Sequence, residues 1–528
     1  MKYLSKISGS SGKIKKISAD LTGGVCPLYK RGKNSPKGLI NFFSDSYPWL
    51  STRGRFKVIH YGKDISAGAG VCDSVIYFVS NGKFYYDLIP RFEVGEGKKT
   101  FQNYNGKILI FPNMICYDPQ TDTHKSFGVS LENIQYKICA RYLDDGTPCG
   151  LSMITSDSVD LTKHFSVGDS IQVSDLYGYG VSGFHRIVAT NTDTHALIFE
   201  GFEFGAGDSD LSLMGNIGHG APAGCDAACV CGGRVWIAHE GRIYASAINN
   251  AYNWAIGGDD ELSAFYCEMY NGDKIVAIVD CEGSPVLFSE NGIYKVYGDR
   301  ASNFSIRCCS GWGGAPAEMS NCVSMVGNKI FYLTDKDVVC FDGVEPRRVE
   351  NTPFSLDGGS AIACGCDTGY YICHTYKGTS TIYVYDDRVA EWFCFGNLDL
   401  KAFFVDEGAL CAVMETELVV LSGLPGLALK HGYFFEALLH GRADLYIDTD
   451  GGELLELCVR SSVSDDGRYV VRVSYGGLIE EKYVISIMKG RPECLTIPLV
   501  PIKSDGIDIC IEGTGDLIVK EVSVKVRV

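Results

Sequence analysis

Two clusters of cysteine and histidine are the residues in this sequence best suited by type to bind a metal ion. The first holds Cys225, Cys229 and Cys231, and the second holds Cys364, Cys366, Cys373 and His374. Structural zinc sites take four nitrogen or sulfur ligands, usually from two paired C-x2–4-C motifs. Neither cluster offers two such motifs. We therefore interpret both clusters as strand residues that pack in a core, and we predict no metal site.

The segment 448–453, Asp-Thr-Asp-Gly-Gly-Glu, begins like a calcium-binding loop. The glutamate that closes such a loop at its twelfth position is absent, because Val459 stands there. Strand-like apolar runs lie on both sides of the segment. We interpret it as a hairpin turn and keep a cation site as the alternative.

Residues 178–183 match the G-x-G-x-x-G pattern of dinucleotide-binding loops. Such a loop must begin a helix, because the helix N-terminus binds the pyrophosphate. The residues that follow, FHRIVAT (184–190), have the pattern of a strand. The motif therefore predicts a turn, and we predict no cofactor.

Motifs of known hydrolases are absent from the sequence. It contains no G-x-S-x-G elbow, no P-loop, no H-E-x-x-H motif and no Ser-x-Asp-x-Gly-x-Thr-Trp box, and its 10 histidines are scattered singly. Glycan hydrolysis needs two carboxyl groups at a defined separation, which a sequence rich in Asp and Glu cannot pair. We predict no catalytic residues.

The N-terminal segment 1–40 is basic, although the formal net charge of the whole chain is -16. Its first 34 residues contain one acidic residue, Asp20, and the following basic residues: Lys2, Lys6, Lys13, Lys15, Lys16, Lys30, Arg31 and Lys33. An acidic surface disfavours general binding to nucleic acid. The segment is therefore either a flexible leader or an arm that contacts an acidic partner or DNA.

Seven strand–turn–strand units dominate the chain. They occupy residues 71–87, 101–118, 227–246, 275–298, 322–343, 362–387 and 400–423. Apart from one long gap they recur roughly every 30 to 50 residues, the spacing of four-stranded propeller blades. Asn-Gly pairs at 81–82, 105–106 and 291–292 are typical of type I′ hairpins. The sequence thus predicts an all-β protein built on a β-propeller of seven blades, with six or eight as alternatives.

The rest of the chain predicts further domains. Residues 125–220 form the gap in the repeat and have the pattern of a small inserted β-barrel of five or six strands. Residues 424–432 form a linker, and residues 433–528 alternate like an antiparallel β-sandwich. The predicted domains are the basic arm 1–40, propeller segments 41–124 and 221–423, the inserted barrel 125–220 and the sandwich 433–528.

The sequence has no apolar run long enough to span a membrane and no signal-peptide pattern at its start. We therefore expect it to be made in a reducing cytosol. Its 22 cysteines are then expected to be mostly free thiols that pack in strands.

Several stretches resemble a group of phage and prophage tail proteins from Gram-positive gut bacteria. They are NFFSDSYPWLSTRGRFK (41–57), GGRVWIAHEGRIYASAINNAYNW (232–254), VLFSENGIYKVYGDRASNF (286–304), KIFYLTDKDVVCFDGVEPRRV (329–349) and TIPLVPIKSDGIDICIEGTGDLIVKEVSV (496–524). Their blade pattern is also similar to that of the propeller-bearing tail nozzle and DNA-stabilisation (head-closure) proteins of short-tailed phages. Lys503-Ser504-Asp505 stands where the resemblance leads us to expect a pair containing arginine.

The resemblance implies a structural virion component of the tail without enzymatic activity, made in the cytoplasm of the bacterial host. It implies a ring of identical chains, sixfold by expectation, that contacts portal, adaptor or other tail proteins. DNA would pass through this ring without sequence-specific binding. One alternative is a receptor- or glycan-binding protein at the tail tip, with Tyr446, Tyr469 and Tyr475 either as candidate binding residues or equally as core residues. A glycan hydrolase is the third and less favoured function.

Overall fold

A computed structural model describes most of the chain. The described residues are 13–25, 34–53, 55–60, 65, 68–142, 148–176, 182–200, 211–256, 262–269, 272–298, 300, 302–396, 398–422, 433–463, 467–475, 479–487 and 493–528. They form strands throughout, with two short 3-10 helices at Leu161–Lys163 and Ala317–Cys322. No helix within these residues has the length and apolar character that crossing a membrane would need. The chain divides into two compact units, residues 64–334 with 339–347, and residues 1–63 with 335–338 and 348–528.

The chain begins with five short strands. They are β1 (Ile14–Ser18), β2 (Gly38–Ile40), β3 (Phe42–Phe43), β4 (Leu50–Thr52) and β5 (Arg55–His60). Strands β1, β2, β4 and β5 each pair with a strand from the C-terminal part of the sequence, and β3 pairs with β4.

Two antiparallel four-stranded sheets follow, each made of consecutive strands. The first contains β6 (Ala69–Cys72), β7 (Val75–Ser80), β8 (Lys83–Tyr86) and β9 (Ile89–Glu93), and the second contains β10 (Thr100–Tyr104), β11 (Lys107–Phe111), β12 (Ile115–Asp118) and β13 (Thr123–Ser126). Asn81-Gly82 and Asn105-Gly106 have positive φ at both residues, which confirms the predicted type I′ turns. Short apolar strands such as β7 and β11 are buried on both faces, as expected for packed blades.

A closed six-stranded barrel interrupts the blades, as predicted. Its strands are β14 (Ser130–Tyr142), β15 (Pro148–Thr155), β16 (Ser170–Asp175), β17 (Gly183–Asn191), β18 (Ala196–Glu200) and β19 (Leu211–Gly218), in the closed order β14-β15-β18-β17-β16-β19. Buried Tyr136, Phe165 and Phe199 fill its interior with aliphatic residues from each strand. Strand β17 follows the G-x-G-x-x-G match, whose residues 178–181 lie outside the described part of the chain.

Three more four-stranded sheets complete this unit. Their strands are β20 (Ala227–Cys231), β21 (Arg234–His239), β22 (Arg242–Ala245) and β23 (Phe265–Glu268); β24 (Ile275–Cys281), β25 (Ser284–Ser289), β26 (Ile293–Tyr297) and β27 (Ser305–Ser310); and β28 (Ser324–Val326), β29 (Lys329–Leu333), β30 (Val338–Phe341) and β31 (Pro346–Arg348). Neighbouring sheets contact each other through their first strands, β6 with β10, β10 with β20, β20 with β24 and β24 with β28. This is the packing of propeller blades.

One predicted hairpin turn is wrong. Neither Asn291 nor Gly292 has a positive φ, so the pair does not form a type I′ turn. Instead, the backbone N–H groups of both residues donate to the Ser289 hydroxyl, at 3.2 and 2.9 Å. A serine side chain thus supplies the turn that the Asn-Gly pair was expected to make.

The second unit contains the last two blades. One has strands β32 (Ser360–Cys366), β33 (Gly369–Tyr376), β34 (Thr379–Asp386) and β35 (Glu391–Gly396), and the other has β36 (Ala402–Asp406), β37 (Ala409–Val413) and β38 (Glu417–Ser422). Strand β5 from the N-terminal segment pairs with β38 and supplies the fourth strand of the last blade. The described residues therefore form an all-β fold with seven propeller blades, an inserted barrel and a sandwich.

The sandwich uses strands from both ends of the sequence. The C-terminal strands are β39 (Tyr433–Leu438), β40 (His440–Asp448), β41 (Glu453–Val463), β42 (Gly467–Tyr475), β43 (Ile479–Ile487), β44 (Glu493–Pro498), β45 (Gly506–Thr514) and β46 (Leu517–Arg527). The first sheet has the order β3-β4-β46-β41-β44, with β1 also paired to β46, and the second has the order β2-β40-β45-β42-β43. Alternating Val, Leu and Ile side chains of both sheets form the core between them.

Three predicted boundaries differ from this architecture. Residues 41–52 belong to the sandwich and not to the first propeller segment, since β3 and β4 join the sheet of β46. Strand β39 pairs with β5 and so extends a blade, although its residues were assigned to the sandwich. The segment 448–453 is not a hairpin turn, because it joins β40 to β41 in the opposite sheet. The predicted linker 424–432 lies outside the described residues.

Candidate functional site

A groove lies on the outer face of the second sandwich sheet. Strict alternation along β40, β45 and β42 buries every second side chain in the core, including Ala443, Leu445 and Val473. The intervening side chains therefore point outward. Lys37, which immediately precedes β2, reaches the same face.

The groove has a volume of about 400 Å³, within the range of small-ligand sites. Its lining residues are Lys37, Arg442, Asp444, Leu445, Arg472, Val473, Ser474, Asp508, Ile509 and Cys510. The strand register aligns their side chains in rows across the three strands. One row is Asp444, Cys510 and Arg472, and the next is Tyr446, Asp508 and Ser474.

Ion pairs connect the charged groups of this face. The Arg442 guanidinium donates to Asp444, with Nε at 2.9 Å from Oδ2, and its Nη1 lies 3.8 Å from Glu512. Arg472 pairs with Glu512 from the other side. Lys37 pairs with Asp508. These ion pairs join three cations to three carboxylates, so their charges balance.

Tyr446 is the aromatic residue of this face. It is half-buried, and the Lys37 ammonium lies 4.4 Å from its ring centroid. The other two predicted aromatic binding residues are core residues, since Tyr469 and Tyr475 are 1% and 2% exposed. The Tyr469 hydroxyl donates to the Gly515 carbonyl at 2.6 Å, and the Tyr475 hydroxyl accepts from Val500 N–H at 3.1 Å. Of the two alternatives for Tyr469 and Tyr475, the structure therefore shows core residues whose hydroxyls bond the backbone.

Cys510 lies at the centre of the groove. Burial, together with a hydrogen bond to Asp444, raises the pKa of its thiol to about 12. The thiol therefore stays protonated at neutral pH and is a poor nucleophile.

The basic residues of the N-terminal segment are placed only in part. Lys13 is exposed, and Lys15 and Lys16 lie on β1, which pairs with β46 over residues 14–18. Lys15 lies 3.7 Å from Asp450, and Lys16 pairs with Glu521. Residues 13–25 are therefore not a free leader. Lys2, Lys6, Lys30, Arg31 and Lys33 lie outside the described residues, so contact of this segment with a partner or DNA stays a prediction.

The cysteine clusters lie in the blades. Cys229, Cys231, Cys366 and Cys373 are buried, and the Cys231 thiol donates to Asp280 at 3.1 Å. His374 stacks against Phe354, with ring centroids 5.0 Å apart. Across the part of the chain that the structure describes, no three His, Cys, Asp or Glu side chains are arranged to hold a metal ion.

Comparison with known proteins finds no matching family model and no matching curated protein. Among solved structures, the phage phi92 endosialidase is 10% identical, covering 74% of this chain and 68% of its own, with a TM-score of 0.26. PorZ, a surface component of the type-IX secretion system of Porphyromonas gingivalis, is 12% identical over 73% of this chain and 44% of its own, with a TM-score of 0.24. An exo-beta-1,3-galactanase from Phanerochaete chrysosporium is 7% identical over 55% of this chain and 95% of its own, with a TM-score of 0.18. At these identities and scores, none of the three likenesses bears on function.

Proposed function

We propose that this protein is a non-enzymatic component of a bacteriophage tail that binds a glycan in the groove above β40, β45 and β42. The observation that carries the glycan part is the groove itself, with its balanced ion pairs and with half-buried Tyr446 beside it, in contact with the lining residue Lys37. The sequence resemblance of the entry segment and the blades supports the phage-tail part. In this proposal the propeller is the scaffold that presents the sandwich.

The side chains of the groove suit a polar, uncharged ligand. Arginine offers a planar set of donors and carboxylates offer paired acceptors, so together they can bind neighbouring hydroxyl groups of a sugar. The ion pairs between Arg442, Glu512 and Arg472 hold these groups in place before a ligand arrives. Ion-paired charges that balance in this way give little long-range attraction for a polyanion such as DNA.

The same contacts support a role in binding without catalysis. Glycoside hydrolysis requires one carboxyl group as an acid and a second as a base or nucleophile. Three carboxylates at the groove instead contact cations, namely Asp444 with Arg442, Asp508 with Lys37 and Glu512 with Arg472. The groove is thus a network of ion pairs.

Binding of the full-length protein to an array of bacterial cell-wall glycans tests this proposal. We expect a defined subset to bind, and Arg472→Met and Tyr446→Ala to weaken binding to that subset at least about tenfold, the loss of one charge-assisted hydrogen bond or stacking contact. Arg460→Met is the matched control, because Arg460 lies on the outer face of the opposite sheet. Because we propose binding without hydrolysis, the concentration of sugar reducing ends in the incubated glycan should not rise with time.

Equal weakening by the groove variants and by Arg460→Met would contradict a site in this groove. Binding of no glycan, with an intact fold by circular dichroism, would contradict the glycan function. The sixfold ring around DNA stays a prediction of the sequence resemblance, and the mass of the protein in solution tests it.

A further inference from the structure

Two thiols face each other on the outer surface of the first sandwich sheet. In the antiparallel pair of β41 and β44, Cys458 lies opposite Thr496, and Cys494 lies opposite Arg460. The cysteines are therefore diagonal neighbours, and their sulfur atoms are 3.2 Å apart. Cys494 is exposed and Cys458 is half-buried, so the pair is accessible from solvent.

The distance between these sulfur atoms exceeds the length of a disulfide bond by only about 1.2 Å. Side-chain rotation can close such a gap without breaking the hydrogen bonds between the strands. Diagonal neighbours on one face of a twisted sheet are within reach of each other.

The two thiols differ in their acidity. A hydrogen bond from Cys458, helped by Arg460 and Thr496, lowers the pKa of Cys494. Burial, with the neighbouring Cys494 sulfur, raises the pKa of Cys458 to about 11. The exposed Cys494 is thus the better nucleophile, and Cys458 is its hydrogen-bond donor.

We propose that Cys458 and Cys494 form a reversible disulfide when the protein meets a low-molecular-weight disulfide as oxidant. The Cys494 thiolate attacks the oxidant, which breaks its S–S bond, forms a mixed disulfide and releases one thiolate. Cys458 then attacks the Cys494 sulfur, which forms the Cys458–Cys494 bond and releases the second thiolate. The two protons of the cysteines end on the two released thiols, so the pair is oxidised and the small disulfide is reduced.

Two buried thiols of the blades lack the exposure and the lowered pKa of Cys494. Burial raises the pKa of Cys366 to about 11 and that of Cys411 to about 12. The new bond would link positions separated by 36 in sequence and would enclose β42, which lines the groove. The proposal depends only on the geometry of the pair and not on the proposed glycan function.

Peptide mapping of the full-length protein tests the pair directly. The protein is incubated with oxidised glutathione, free thiols are alkylated, and the chain is cleaved with trypsin. We expect a disulfide between the peptide 443–460 and the peptide 490–503, which reduction separates. Cys308→Ser is the matched control, since Cys308 is another exposed thiol on a strand, and this variant should still form the link.

The variant Cys458→Ser tests the second step of the reaction. In Cys458→Ser the link should be absent, and Cys494 should instead accumulate as a mixed disulfide with glutathione, because the attacking second thiol is gone. Persistence of that mixed disulfide in the wild-type protein would overturn the proposal. Alkylation of both cysteines after prolonged oxidation would overturn it equally.

Discussion

Arg53 shows what the entry segment 41–57 does in the fold. Its guanidinium donates twice to the Asp45 carboxylate, at 2.8 and 3.0 Å, and once to the Leu421 carbonyl at 3.2 Å. It also stacks over Phe43, 4.5 Å from the ring centroid. Phe43 in turn packs on Phe395 of a blade at 4.5 Å. The Ser-Asp-x-Tyr-Pro-x-Leu run with its following arginine therefore fastens the sandwich to the last two blades.

Lysine cannot replace Arg53 without loss, because a single ammonium cannot donate in parallel to both carboxylate oxygens and to Leu421. We expect Arg53→Lys to lower the free energy of unfolding of this unit by about 1–3 kcal/mol. Arg55→Lys is the matched control two residues away, since Arg55 is exposed and its guanidinium pairs with Glu436 at 2.9 Å. Arg55→Lys should lower the free energy of unfolding by less than about 0.5 kcal/mol. Denaturant unfolding measures both, and equal losses would contradict the role given to Arg53.

The residue scale also shows what the sequence could have predicted about the groove. Tyr469 and Tyr475 share their strand parity with Val471 and Val473, all of which are buried, whereas Tyr446 alternates with Leu445 and Ile447. Following the alternation of side chains along each strand would have distinguished the outward-facing Tyr446 from the buried Tyr469 and Tyr475. The contribution of Lys37 could not be predicted, because its contact with Asp508 joins residues 471 positions apart.

At the scale of elements, a buried polar cluster fixes the inserted barrel to the blades. Lys125 of β13 donates to Asp169 and to the Ser166 hydroxyl, at 2.8 Å for the latter. His219, directly after β19, lies 3.4 Å from the same carboxylate and is fully buried. Asp169 thus binds one group at the entrance to the insertion and one at its exit.

Two titratable groups of the cluster, Asp169 and His219, make the attachment of the barrel sensitive to acid. Burial by itself raises the pKa of Asp169, but hydrogen bonds from His219 and Lys125 outweigh it and hold this pKa below its usual value. Burial lowers the pKa of His219. In each case the folded state binds protons less readily than the unfolded state, so the stabilisation is complete at neutral pH and is lost on acidification.

We predict that the unit containing the barrel loses stability as the pH falls below about 6.5, the ordinary pKa of histidine. His219→Gln should flatten this dependence between about pH 6.5 and 5, because the glutamine does not titrate. His440→Gln, at an exposed strand position in the other unit, should leave it unchanged. Thermal unfolding at several pH values provides the measurement. A wild-type slope in His219→Gln would show that other groups cause the acid sensitivity.

The blades were the part of the fold that local sequence could predict. Each unit repeats an apolar strand, a tight turn and a second apolar strand, and turns such as Asn81-Gly82 fix the hairpin. The fourth strand of the last blade escaped prediction, because β5 lies more than 350 positions from its partner β38. Periodicity shows that a segment is a strand but does not identify its partner.

At the scale of the whole molecule, the N-terminal segment crosses from sheet to sheet within its unit. Strand β1 extends the first sandwich sheet, and the chain then reaches the blade strand β35, where Val25 N–H donates to the Trp392 carbonyl at 2.6 Å. It continues to the second sandwich sheet through β2 and returns to β35 through Asn41. These contacts join elements that are far apart in sequence.

The backbone of Gly24 lies very close to the backbone of Trp392 in β35. A Cβ atom there would lie 2.1 Å from the Trp392 carbonyl oxygen, whereas one at Gly23 would meet its nearest neighbour at 3.6 Å. We predict that Gly24→Ala detaches the segment from the blade and that Gly23→Ala does not. Limited trypsin cleavage after Lys15 and Lys16 should be at least about tenfold faster in Gly24→Ala, since cleavage follows local opening. Equal cleavage of the two variants would argue against this attachment.

The pairing of β46 has a consequence for the order of folding. Its two partners on one side, β1 and β4, are made first, while β46 itself spans Leu517–Arg527. During synthesis the backbone N–H and C=O groups of β1 and β4 that pair with β46 stay unpaired until β46 is made, while the intervening blades form. Such distant pairings slow folding, because the loop that they close is nearly as long as the chain. A ribosome that stops anywhere before β46 therefore releases a chain with an incomplete sandwich, whose unpaired strands are exposed to the cell's proteases.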